Sequence, residues 1–154
     1  LIQKVTSLGY IPMDDGSGNF FGRKLIRDYY FHKIPQDLAL KFAKEYDLDP
    51  DVIKENLYKQ PNPNTYLATF ARFLIENKNH PYSKGVIDKG FQQFVNNYIM
   101  QFELATKVPI NFVGSIAHYL KDELTTVLER NDLIVGVIRQ RPIEGLMEFH
   151  RETL

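Results

Sequence analysis

Cysteine is absent from the 154 residues, so this chain supplies no disulfide, no cysteine-held zinc and no iron–sulfur ligand. That absence fits a reducing, cytoplasmic setting. Neither sign of charge is in excess. Nineteen Lys and Arg balance nineteen Asp and Glu, which gives no reason to expect a nucleic-acid or anionic-membrane partner. Long uncharged apolar runs and a secretory leader pattern are also missing, so neither a membrane span nor export is expected. No G-x-x-x-x-G-K-[ST] phosphate loop occurs, and no G-x-S-x-G nucleophile elbow. His32, His80, His118 and His150 are scattered without ligand spacing, so no metal site is expected. There is no internal repeat and no low-complexity tract.

What is present is an ordinary globular composition, long enough for one domain with a real core. Residues 1–13, with Ile2 and Val5 apolar, read as the end of a strand or hairpin. They lead into Asp14-Asp15-Gly16-Ser17-Gly18, a turn crowded with polar groups. This loop either caps the helix that follows or offers carboxylates to a hydroxyl-rich ligand. Helical spacing then predicts a helix over 19–33 with Phe21, Leu25 and Tyr29 on one face. A second helix follows to Tyr46, and a third opens at Asp49-Pro50-Asp51. Beyond the break at residues 60–64, Leu67, Phe70, Ala71, Leu74 and Ile75 mark a fourth helix. Ile87, Phe91, Phe94, Tyr98 and Phe102 mark a long fifth, over 82–105.

The last third changes character. Residues 108–113 predict a short buried strand, and Gly114-Ser115 a turn with Ser115 as the helix cap. One helix striped by Ile116, Leu120, Leu124, Val127 and Leu128 is expected next. The apolar run 133–138 suits a strand covered on both faces. Pro142 opens a closing helix with Ile143, Leu146, Met147 and His150 on one side. Strand, helix, strand, helix over about 108–152 is a βαβα unit with parallel pairing expected. The fold class is therefore α/β, with helical residues of about 19–106 set before that unit. The Gly114–Ser115 turn is either a plain connection or a place where a phosphate or nucleotide approaches the backbone.

Taken in order, these segments resemble a known family. Residues 8–18 followed by Phe21-Gly-Arg-Lys-Leu-Ile-Arg-Asp28 are similar to the LGxxLGDEGSGxxxGxxxxRD segment of BadF/BadG/BcrA/BcrD-type ATPases, which include N-acetylglucosamine kinases. Pro12, Met13 and Asp15 stand where that segment has an apolar residue, Gly and Glu. Residues 66–73 resemble the family's next helix, 112–117 its adenosine-contacting turn, and 141–150 its closing P-x-x-G-L helix. The likeness spans the chain but only the C-terminal half of a family member. It implies a ribonuclease H-like C-terminal lobe of the actin/sugar kinase/chaperone ATPase fold, carrying a large helical insertion. It further implies ATP with Mg²⁺, and transfer of a phosphoryl group to an amino sugar such as N-acetylglucosamine.

On this resemblance Asp14, Asp15, Gly16 and Ser17 bind sugar. Gly114 and Ser115 lie under the nucleotide, with Thr69 and Phe70 on a neighbouring helix. No catalytic base and no metal ligand is carried over. The implied partners are ATP, the sugar and a missing N-terminal lobe, without which the chain is not active; a homodimer is compatible. The first residue, Leu1, is not methionine, which fits a segment of a longer protein. Two other functions stay open: a non-catalytic lobe sensing sugar or nucleotide, and a dehydratase-activating ATPase, which the missing cysteines disfavour.

Overall fold

The computed structural model describes residues 3–153, and the expectation placed on Ile2 lies outside them. Among these residues the chain is α/β, with eight α-helices and one small parallel sheet. It divides into two compact units. One comprises Ser7–Gly90; the other comprises Leu1–Thr6 and Phe91–Leu154.

The unit Ser7–Gly90 holds α1 (Gly18–Tyr30), α2 (Gln36–Glu45), α3 (Pro50–Tyr58), α4 (Pro63–Glu76) and most of α5 (Pro81–Phe94). No strand occurs among the described residues before α1, where the sequence suggested one. Starts follow local chemistry. Ser17 caps α1 through its Oγ, and Asp49 caps α3 by accepting from the amides of Asp51 and Val52. Pro50 and Pro63 occupy first-turn positions, where the missing N–H costs nothing.

Packing of α1 on α4 is governed by glycine. A Cβ on Gly22 would lie 1.7 Å from the Leu67 carbonyl oxygen, and one on Gly18 would lie 3.1 Å from Ala68 Cβ. The two helix backbones thus touch directly. Around this contact Phe42, Phe70 and Phe73 join Tyr29, Tyr46 and Tyr66 in edge-to-face and tilted ring pairs. Asp28, buried on α1, accepts from Tyr82 Oη at 2.8 Å and from Lys24. Burial, then the Asp28 contact, pushes the Tyr82 hydroxyl far above its ordinary range, so it stays a donor.

The second unit carries a five-residue π-helical turn (Val95–Ile99), β1 (Pro109–Val113), α6 (Ser115–Tyr119), α7 (Lys121–Arg130), β2 (Ile134–Arg139) and α8 (Pro142–Thr153). The strands pair in parallel as expected, Pro109 with Ile134 and Val113 with Arg139. An irregularity falls between Ile110 and Phe112, where Asn111 Oδ1 accepts from the Val137 amide at 2.7 Å. Gly136 makes room, because a Cβ there would lie 2.3 Å from that oxygen.

Several expectations need correction here. The helix placed over 82–105 leaves α geometry at Val95. The Met100 amide bonds back to Val95, five residues away, and Phe102 is 42% exposed rather than inward. Asn96 and Asn97 are weak helix formers at that place. The helix expected after β1 is two helices, broken at buried Leu120. Neither strand is fully covered, because the sheet has two strands and leaves Val113, Ile134 and Val137 about half exposed.

Candidate functional site

The loop before α1 is gripped by the helix it precedes. Asn19 Nδ2 donates to Asp14 Oδ2 at 2.8 Å and to the Tyr10 carbonyl at 3.2 Å, and Arg23 Nη1 donates to the Ile11 carbonyl at 2.9 Å. The Ser17 amide donates to the Asp14 carbonyl, while Ser17 Oγ accepts from the Phe20 amide. Gly16 turns the chain with φ of 73°, a left-handed conformation that favours glycine. Met13 is not among the positive-φ residues, so its bulk causes no backbone strain. Asp14, Asp15, Gly16 and Ser17 therefore form one half-buried, tightly tied turn. Capping by Ser17, one of the two roles open from sequence, is realised.

Sequence reasoning overlooked Asn19 and Arg23. Asn19 sits one position into α1, where an Asn is usually a solvated polar residue. Its burial and its bond back to Asp14 join two residues five apart, a separation with no helical or strand period behind it.

Thr69 and Phe70 lie on α4 in the same unit. Thr69 is exposed, its Oγ1 donating to the Tyr66 carbonyl at 2.6 Å. Phe70 is 2% exposed and packs among Phe42, Tyr46 and Tyr66, so its ring is committed to the core. Burial raises the hydroxyls of Tyr46 and Tyr66 above their usual range, which keeps both neutral.

Gly114 and Ser115 belong to the other unit. Gly114, not Ser115, occupies the cap position, with φ of 145° and ψ of 158° and no side-chain cap. Its amide donates to the Arg139 carbonyl, extending the β1–β2 ladder by one bond before the chain turns. That backbone demand puts a glycine at the cap and pushes Ser115 into the first helical position. A Cβ at Gly114 would meet nothing within 4 Å, so the backbone there is open.

Among the described residues no group of three His, Cys, Asp or Glu side chains converges as a cation site. His80 is occupied locally, its Nδ1 accepting from the Tyr82 amide and its Nε2 3.4 Å from Asp37. No helix of the described residues is long and apolar enough to cross a membrane.

Scans against models of protein families and against curated proteins find no match. Among solved structures, the chain is similar to the crystal structure of a Porphyromonas gingivalis protein provisionally named an N-acetylglucosamine kinase. The TM-score is 0.89 and the identity 31%, over 96% of this chain. The chain spans 52% of that protein's length. The expected likeness to half of an N-acetylglucosamine kinase-type protein is thereby borne out.

Proposed function

We propose that the chain is the C-terminal, ribonuclease H-like lobe of an ATP-dependent sugar kinase, with an amino sugar such as N-acetylglucosamine as acceptor. The observation that carries this is the structural likeness over 96% of the chain at 31% identity. The tied Asp14 turn supports it chemically. An ionised carboxylate has about four acceptor sites, so the one bond from Asn19 leaves room for sugar hydroxyls. Asp15, Gly16 and Ser17 complete that turn, in which Gly16 supplies the conformation and Ser17 fixes the start of α1.

Nucleotide contacts are proposed in each unit separately. The open Gly114 backbone fits a flat purine ring, and Ser115 beside it is exposed. Thr69 offers an exposed hydroxyl on α4, while Phe70 serves by fixing that helix. Among the described residues no three His, Cys, Asp or Glu side chains converge, so Mg²⁺ would come with the nucleotide phosphates and no step is routed through a metal on this chain.

In the reaction a sugar hydroxyl oxygen attacks the γ-phosphorus and the bond to the bridging oxygen of ADP breaks. The hydroxyl proton goes to a base in the companion lobe. Positioning dominates phosphoryl transfer, so a lobe that holds reactants contributes without supplying a base. Exposed Ile134 and Val137 on a strand of the two-face-buried type also favour a covering companion. A cytoplasmic location belongs to the same reading.

The test is ADP release by the full-length protein, measured with N-acetylglucosamine, other hexoses and no sugar. Turnover that requires an amino sugar is expected. Sugar-independent turnover removes the assignment. Sugar and nucleotide binding without turnover supports instead a sensing lobe, the reading that Pro12 and Met13 favour by their departure from an apolar residue and Gly.

A further inference from the structure

We infer that Asn19 is a positioning residue for the sugar-binding carboxylate, acting through Asp14; the inference rests on the sugar-kinase reading above. Asn19 is 5% exposed, and its amide nitrogen serves two acceptors at once, Asp14 Oδ2 and the Tyr10 carbonyl. Both partners are acceptors, which fixes the amide orientation with the nitrogen towards the loop.

That orientation carries a cost. Asn19 Oδ1 is buried without a hydrogen-bond partner among the described residues. A position selected only for packing between α1 and its neighbours would be better filled by an aliphatic side chain, which leaves no orphan acceptor. The geometry therefore points to the nitrogen side of Asn19 as its purpose. Held from Asn19, the Asp14 carboxylate has one oxygen bonded from within the protein, which restricts its rotation. It then meets sugar hydroxyls already oriented, so less freedom is lost on binding.

The anchor is itself rigid. Ser17 caps the helix on which Asn19 rides, and Gly18 brings that turn against Ala68 of α4. The second bond, to the Tyr10 carbonyl, secures the incoming segment of the loop, and Arg23 adds a third through the Ile11 carbonyl. Two residues of one helix thus hold the carboxylate and the segment that leads into it.

The experiment is calorimetric titration of the full-length protein with N-acetylglucosamine and, separately, with ADP. It compares the native chain with Asp14→Asn, Asn19→Leu and Asn19→Gln, alongside thermal midpoints. Asn19→Leu is expected to weaken sugar binding by about tenfold with ADP affinity unchanged. If that variant does not fold, Asn19→Gln carries the same test, because its displaced amide still weakens sugar binding selectively. Loss of sugar affinity at an unchanged ADP affinity is a split that a merely structural role does not produce. Native sugar affinity in the Asn19 variants, with Asp14→Asn defective, overturns the inference and leaves the kinase reading standing. Native sugar affinity in Asp14→Asn, or none in the unaltered protein, overturns the reading itself.

Discussion

The turn at Asp14–Gly18 and the turn at Gly114–Ser115 each lead into a helix, yet they are built in opposite ways. In the first, side chains do the work: Ser17 caps, Asn19 and Arg23 reach back, and Gly18 and Gly22 press α1 onto α4. In the second, the main chain does it: Gly114 extends the ladder through its amide, no side chain caps α6, and space is left where a Cβ would stand. The contrast matches the ligands proposed for them. A sugar presents many hydroxyls and calls for a fixed carboxylate; a purine presents a flat face and calls for bare backbone.

The contrast can be broken at either end. Gly22→Ala should have the largest effect, because the added Cβ meets a helix carbonyl that cannot move aside. A loss of about 3 kcal/mol is expected in chemical denaturation. Gly114→Ala meets no atom at all, so its cost of about 2 kcal/mol arises from backbone strain alone. A denaturation midpoint unchanged by Gly114→Ala would mean that the turn relaxes freely, and the contrast would fail there.

Tyr82 adds a pH test of the first unit. Its folded-state pKa lies above the ordinary 10.0, so the native state holds that proton after the unfolded chain has released it. The stabilisation is complete below pH 10.0 and is lost as pH rises beyond it. Tyr82→Phe should flatten that alkaline fall in stability, read as the slope of the thermal midpoint against pH. Smallest of the set, Ser17→Ala should cost about 1 kcal/mol through the lost cap.

Much of this architecture was legible in the residues. Helical spacing and prolines located α1 to α4, and the alternation of strand and helix foretold the parallel β1–β2 pair. The departures arise where tertiary geometry overrides pattern. Asn96 and Asn97 sit in a stripe that reads as continuous helix, yet the chain widens into a π turn there. The apolar run 133–138 has the pattern of a doubly covered strand, but among the described residues β2 is flanked by one strand, β1, and leaves Ile134 and Val137 exposed. In the candidate site, the Asp-Asp-Gly-Ser-Gly turn stood out by composition. The Asn19–Asp14 bond did not, because it depends on how tightly α1 folds back onto its own loop.

The division of labour between the two turns is tested most directly by measuring sugar and ADP affinities side by side in full-length Asp14→Asn and Gly114→Val. Asp14→Asn should lose at least about tenfold in N-acetylglucosamine affinity with ADP binding intact, and Gly114→Val should do the reverse. If both variants bind both ligands as the unaltered protein does, or if each loses both together while remaining folded, the account of two separately built half-sites is contradicted.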